Sequence, residues 1–342
     1  MPFAARMARK DGEALFDLVA GFVHSQVLRS VVELDLPGRL AERPRRAEDL
    51  ALEAGWPPER VRVLCQAAAA LGLLKRRRDG RYALDRLGAA LPGVPGLARM
   101  IVHHDVLYRD LADAPGFFAD GADTELARFW PYVFGTTGES DPRTAATYSE
   151  LMAQSQTLVA EETLAALDLT GVRQLLDVGG GTGAFLTAAG RANPTLGLHL
   201  FDLPVVVNAA RDRFAAHGLT DRATITGGSF RTDALPQGAD AASLVRVLYD
   251  HSDDTVRMLL AKIHAVLPAG GRLIVAEPMS GGARPIRSTD AYFAVYCMAM
   301  RTGRVRSAQE IADLLSAAGF VAVRTHRTAR PFITGLVTAW KP

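Results

Sequence analysis

The chain has 342 residues, more than one compact core usually serves, so it reads as one large domain with a smaller companion. Hydrophobic residues make up 49% and charged residues 22%, which excludes a disordered chain. A formal net charge of +2 gives no overall electrostatic case for nucleic acid, and two cysteines, Cys65 and Cys297, are too few for a disulfide framework or a thiolate metal site, so no metal is expected.

Near the N-terminus Asp11, Glu13 and Asp17 interrupt what would have to be the apolar stretch of an export signal. The longest uncharged apolar run, Ala291 to Met300, has half the length of the roughly 20 residues that a bilayer-spanning helix needs. A reducing, cytoplasmic location is the expectation.

Residues 13–36 predict a helix with a one-sided apolar stripe, because Leu15, Leu18, Val19, Phe22 and Val23 recur at three- and four-residue intervals. Two short helical patterns follow from Ala47 to Leu74, parted by Gly55-Trp56-Pro57-Pro58, where the prolines end one helix and begin the next. Asp79-Gly80 then separates two short strands, Lys75 to Arg78 and Arg81 to Leu84, as a hairpin turn would. Residues 1–110 are therefore read as a mainly helical, winged-helix-like domain. Prolines at 92, 95, 115, 131 and 142 break the next stretch, and 111–147 is taken as a helical connector.

From 148 to 342 the rhythm changes. Gln174 to Val178, Leu198 to Phe201, Ala223 to Thr226, Ala241 to Leu248, Arg272 to Ala276 and Val321 to Thr325 are short apolar runs alternating with helical stretches, the pattern of an α/β fold with a mostly parallel sheet. A last run, Phe332 to Trp340, follows too closely for a helical crossover, so it should pair antiparallel with Val321 to Thr325. A Rossmann-like domain of seven strands with an antiparallel C-terminal strand is expected.

Leu175-Leu176-Asp177-Val178-Gly179-Gly180-Gly181-Thr182-Gly183 puts an acid at the end of a buried strand, then a glycine turn that lets backbone approach a ligand. Gly179, Gly181 and Ala184 also satisfy the nicotinamide fingerprint, so the turn alone fits two cofactors. Asp177 favours S-adenosylmethionine: a carboxylate two residues before the first glycine can reach that cofactor's ammonium, and it would repel a pyrophosphate. Gly179, Gly181 and Gly183 are assigned to the cofactor, with Asp202 and Leu203 at the next strand end, where an acid accepts both ribose hydroxyls. Ser229 and Phe230 are expected to edge the adenine, and Arg246 to face the cofactor's carboxylate or the cleft.

With these residues in place, the chain resembles the small-molecule O-methyltransferases that join an N-terminal winged-helix dimerisation domain to a C-terminal catalytic domain. It is most similar to the bacterial carotenoid O-methyltransferases of the hydroxyneurosporene and demethylspheroidene type. The diagnostic segments are Arg246-Val247-Leu248-Tyr249-Asp250-His251, Ala276-Glu277-Pro278-Met279 and Asp290-Ala291-Tyr292-Phe293. The resemblance implies a homodimer, S-adenosylmethionine as donor, and a tertiary hydroxyl on a long apolar acceptor drawn from a membrane, so peripheral contact with the inner membrane is possible. It also exposes a departure. Plant phenolic members use a His-Asp-Trp segment with the histidine as base, and here Tyr249 stands at the histidine position and His251 at the tryptophan position. Val305 stands where those relatives carry a bracing glutamate.

An aliphatic alcohol is a weak acid, so some help in removing its proton is needed. His251 is the first candidate base, since an ordinary imidazole titrates near neutrality, and Tyr249 is an orienter. The expected acceptor-binding set is Met152, His104, Glu277, Asp290, Tyr292, Phe293 and Tyr296. His103 adjoins His104, and at most one of two adjacent helical residues can face a cleft. A DNA-binding regulator is disfavoured, because the second helix of the winged unit offers Val61, Val63, Leu64 and an alanine run rather than base-reading side chains. A nicotinamide oxidoreductase and an O-methyltransferase of aromatic polyketides are the remaining alternatives.

Overall fold

The computed structural model describes residues 2–120, 123–129 and 156–342, so Met152 and most of the expected connector lie outside the described residues. The chain divides into two units, Met1–Asp105 and Val106–Pro342.

In the first unit a long helix, α1 (Pro2–Glu33), starts earlier than its apolar stripe implied and ends where Asp35 takes a left-handed conformation. Its C-terminal part supplies Val31 to a core shared with Leu50, Val61, Cys65 and Tyr82. The stripe expected to bury a face does not do so within this unit: Leu15, Leu18, Val19 and Phe22 are 63% to 68% exposed. The stretch Met7–Glu33 is long and apolar enough to cross a membrane by length and composition, which the search for one uninterrupted run did not reveal, because isolated polar residues dilute it.

Helices α2 (Ala47–Ala54) and α3 (Pro58–Ala70) follow, with Gly55 at φ 68° closing the first and Pro58 at the opening turn of the second. Strands β1 (Leu74–Arg76) and β2 (Tyr82–Leu84) pair antiparallel across the Asp79-Gly80 turn, completing the winged outline.

The second unit is an open seven-stranded sheet in the order β5-β4-β3-β6-β7-β9-β8. Its strands are β3 (Gln174–Val178), β4 (Gly197–Asp202), β5 (Ala223–Gly227), β6 (Ala241–Val245), β7 (Arg272–Glu277), β8 (Val321–His326) and β9 (Gly335–Trp340). The first five pair parallel, β9 runs antiparallel to β7, and β8 antiparallel to β9, as the short final connection required. Adjacent side chains leave a strand on opposite faces, and so Leu176 and Leu175 enter different cores. One core is closed by α4 (Ala184–Ala192) and α5 (Pro204–Ala216), through Phe185, Leu186 and Phe214. The other is closed by α6 (Asp253–Val266) and a later helix, Ala308–Ala317, through Leu259, Ile263 and Leu315.

Two strand limits differ from expectation by three residues, and one matters for the site. The run Ala241 to Leu248 stops being strand at Val245, because Arg246 adopts φ 58° and the chain turns into a short 3-10 helix, Leu248–Asp250. The final strand begins at Gly335 rather than Phe332, after a turn containing Pro331.

Candidate active site

Strand ends of a parallel sheet leave backbone groups facing a crevice where the chain order reverses, here between β3 and β6. A cleft of about 130 Å³ lies at that edge, lined by Gly179, Asp202, Leu203, Gly228, Ser229, Phe230, Arg231, Arg246, Val247, Asp250 and His251.

The glycine turn meets β4 through Asp202. Its carboxylate accepts the Gly181 N–H at 2.7 Å and the Leu203 N–H at 2.7 Å, so one acid ties together the two strand-to-helix turns that form this end of the cleft. Burial raises its pKa. A side chain at Gly179, where φ is 72°, would be strained, and its Cβ would meet Val247 Cγ2 at 2.9 Å. Gly181, at φ 59°, needs its freedom for the backbone alone. Gly183 packs its Cα over the Phe214 ring and does not line the cleft.

Asp177 requires a correction. It is 1% exposed and lies under the turn rather than on the cleft wall, with Oδ1 accepting from Ser243 Oγ at 2.6 Å. Its Oδ2 is buried without a hydrogen-bond partner among the described residues. Burial above all, with the Asp202 charge adding to it against the Ser243 bond, pushes its pKa up to about 7. Direct contact with a ligand ammonium is therefore not what this geometry displays; Asp177 supports the turn from beneath.

Beyond β5, the Ser229 N–H donates to Asp233 and the Phe230 carbonyl accepts from Lys262 Nζ at 2.7 Å, which holds this loop against α6. Phe230 and His251 make an edge contact with ring centroids 5.2 Å apart, and Arg231 Nη2 stands 3.2 Å from His251 Nδ1. His251 thus belongs with the expected adenine edge. Burial, then the Arg231 and Arg306 charges, push its pKa down to about 4, so it is neutral and only weakly basic at pH 7, contrary to the role first expected of it.

The segment that carries His251 is braced from two sides. Glu277, at the tip of β7, accepts from the backbone N–H groups of Val247 and Leu248 at 2.8 and 2.7 Å and of Tyr249 at 3.4 Å. With both carboxylate oxygens engaged and 1% exposure, Glu277 organises this turn and does not face an acceptor, as had been expected. Arg306, fully enclosed, donates to the Leu248 and His251 carbonyls and to Asp253.

Arg246 leaves β6 in the left-handed region, and its guanidinium carbon sits 5.6 Å from the Tyr249 ring centre and 6.0 Å from that of Phe293. This re-aims an arginine into the cleft and joins the cleft to an aromatic cluster. Tyr249 and Tyr296 are buried there with Cys297 and Met300, and Tyr292 and Phe293 pack against them. Burial raises the Tyr249 pKa beyond any ordinary phenol, which leaves it no role as a base. Asp290 is a loop organiser instead of a mouth residue: it accepts from the N–H groups of Gly281 and Ile286, both at 2.6 Å. His104 belongs to the first unit, where its Nδ1 is hydrogen-bonded to the Met100 carbonyl.

Sequence reasoning passed over Asp250. It lies on the cleft wall between Arg246 and His251, and its Oδ1 is buried with no hydrogen-bond partner among the described residues. The available signal is an acid directly after a strand-ending turn, between Tyr249 and His251. Arg306 and Ser243 were missed because their partners are about 60 residues away in sequence.

The residues present fit S-adenosylmethionine. An aromatic edge, a carboxylate beside a glycine turn, an arginine and a second carboxylate, one oxygen of which has no hydrogen-bond partner among the described residues, lie along one cleft, matching in kind a base, a ribose diol, a carboxylate and a cationic centre.

Residues 108–321 match the O-methyltransferase domain family, and residues 16–92 match the O-methyltransferase dimerisation domain family. The chain is 58% identical to the demethylspheroidene O-methyltransferase of Cereibacter sphaeroides, over all of this chain and 90% of that protein. It is 51% identical to the demethylspheroidene O-methyltransferase of Rhodobacter capsulatus, over 99% of this chain and 84% of that protein. Among solved structures, that of the mitomycin 7-O-methyltransferase superposes with a TM-score of 0.80 at 26% identity, covering 99% of this chain and all of that one. The chain therefore belongs to the O-methyltransferase family, as an S-adenosylmethionine-dependent enzyme with an N-terminal dimerisation domain.

Proposed function

We propose that this enzyme methylates the tertiary hydroxyl of a carotenoid of the hydroxyneurosporene or demethylspheroidene type, and that it acts as a homodimer. The observation that carries the acceptor assignment is the 58% identity, over the whole of this chain and 90% of its relative, to the Cereibacter sphaeroides enzyme named for that substrate class. The replacement of the phenol-type histidine by Tyr249, enclosed among aromatic and aliphatic neighbours, agrees with an acceptor that is an apolar alcohol.

S-adenosylmethionine supplies an electrophilic methyl group when bound. In this reading Phe230 and Ser229 edge the adenine, Asp202 receives the ribose hydroxyls, and Arg246 pairs with the carboxylate. The turn at 247–250, held by Glu277 and Arg306, presents its side chains to the acceptor. Catalysis then rests chiefly on holding the acceptor oxygen about 3 Å from the methyl carbon and in line with the breaking bond. Homodimerisation rests on the uncovered face of α1 and on the dimerisation family match that includes it. Because such an acceptor resides in a membrane, the enzyme works at a membrane surface.

The test is incubation with methyl-labelled S-adenosylmethionine and detergent-dispersed hydroxylated carotenoids beside a set of phenols, read by mass spectrometry. Label in the carotenoid ether is expected. Label in phenols alone would remove the carotenoid assignment and favour the aromatic polyketide alternative. Phe22→Glu should convert a dimer to a monomer in sedimentation, and an unchanged sedimentation coefficient would remove α1 from the interface.

A further inference from the structure

Methylating an alcohol leaves one proton to be placed, and the cleft offers few groups that can take it. Tyr249 is buried and far too weak an acid to be ionised. His251 is committed to the Phe230 and Arg231 side of the cleft. Glu277 has both oxygens occupied by backbone N–H groups. Asp177 is under the glycine turn and off the cleft wall, and Asp202 holds the two turns together.

Asp250 differs from all of these. It lines the cleft next to Arg246 and Val247, where the nucleoside-binding end gives way to the aromatic cluster, and its Oδ1 is buried without a hydrogen-bond partner among the described residues. Leaving a buried carboxylate oxygen unsatisfied is costly, and such a group asks for an explanation. An acceptor hydroxyl is a donor of the right kind to fill it.

We propose that Asp250 is the catalytic base of this enzyme, receiving the proton of the acceptor hydroxyl in place of the histidine that Tyr249 has displaced. The step balances. The hydroxyl proton passes to the Asp250 carboxylate as the oxygen lone pair forms the new O–C bond, and the electron pair of the broken C–S bond returns to sulfur, which becomes a neutral thioether. Neither a metal nor a redox partner is required.

The surroundings support this. Glu277 faces Asp250 from β7, Arg246 from the end of β6, Tyr249 from the same turn, and Tyr296 and Cys297 from the helix Ala294–Met300. Burial first, and the Glu277 charge second, raise its proton affinity well above that of an ordinary carboxylate, while Arg246 and Tyr249 restrain the rise. A carboxylate held in that way is a stronger base once ionised. A cationic ligand nearby would favour the ionised form, so donor binding itself should drive off a proton.

The proposal rests on the alcohol-methylating function above, and its test is arranged so that the two can fail separately. Asp250→Asn keeps the shape and removes the base. Expected are a fall in kcat of about 10²- to 10⁴-fold with KM within about threefold and the Kd for S-adenosylmethionine weakened by no more than about tenfold, and loss of the acid limb of the kcat–pH profile. That limb in the parent enzyme should lie above the usual carboxylate range. Asp250→Glu should restore part of the rate and the limb.

A readout independent of turnover is calorimetry of S-adenosylmethionine binding in two buffers of different ionisation heat. The parent enzyme should release protons on binding and the Asn variant should not. Thermal melts confirm that each variant folds. Turnover of the Asn variant within threefold of the parent, an unaltered acid limb, or loss of cofactor affinity in step with kcat would each overturn the proposal. If carotenoids prove not to be substrates, whichever alcohol or phenol the enzyme methylates serves for the rate measurement, and the calorimetric arm needs no acceptor.

Discussion

At the β3–β4 end of the cleft the lining groups come from two consecutive strand-to-helix turns, Gly179–Gly183 and Asp202–Leu203, tied by hydrogen bonds that their backbone N–H groups donate to one carboxylate. At the β6–β7 end they come from a single turn, 246–251, whose shape depends on Glu277 and Arg306, about 30 and 58 residues further along the chain. The first end presents mainly backbone, which tolerates little change. The second presents side chains on a braced turn, and there Tyr249 and His251 stand where phenol-methylating relatives carry histidine and tryptophan. A family can keep its cofactor end and change its chemistry by editing the other, provided that the braces remain.

The sharpest way to break this comparison is to remove a brace. Arg306→Met should lower the unfolding free energy by about 3 kcal/mol, because it strips the donors from the Leu248 and His251 carbonyls and from Asp253 inside the protein. Urea unfolding measures this, and an unmoved midpoint would mean that Glu277 alone holds the turn.

A smaller effect is expected at the other end. Asp202→Ala should weaken S-adenosylmethionine binding by about 10- to 100-fold, the value of one or two charge-assisted hydrogen bonds, and calorimetry would show it. Affinity unchanged by that substitution would mean that the glycine turn binds the cofactor without the acid.

The smallest effect at neutral pH belongs to His251, which the comparison assigns to the cofactor end. His251→Phe should leave turnover at pH 8 within about threefold, whereas a loss above 100-fold would return the histidine to catalysis. Its signature lies in acid. The unfolded imidazole takes a proton near pH 6.5 and the folded one only near 4, so the stability from this site is complete above 6.5 and is lost as pH falls through that window. Melts between pH 8 and pH 4 should therefore show the Phe variant losing less stability than the parent, by up to about 3 kcal/mol.

Much of the fold was legible because its signals are local. A hydrophobic run of five residues reads the same wherever it sits, the Asp-Gly pair makes a hairpin turn by its own backbone preference, and a final strand that follows too closely for a helical crossover must run antiparallel. The glycine turn and Asp202 were found for the same reason. The end of β6 was not, because an arginine in the left-handed region carries no local signal that separates it from one more strand residue.

Among the candidate residues, errors follow a single physical cause. Asp177, Glu277 and Asp290 were read as facing ligand, yet Glu277 and Asp290 are taken up by backbone N–H groups, and Asp177 is buried off the cleft wall with one oxygen held by Ser243. Asp250 was passed over although it lines the cleft and its Oδ1 is buried without a hydrogen-bond partner among the described residues. Sequence by itself determined the elements, their order and the cofactor turn, since these depend on neighbours within a few residues. Which carboxylate is consumed by structure and which stays available for chemistry was decided only in the folded protein, because hydrogen-bond partners and burial come from segments that meet in space.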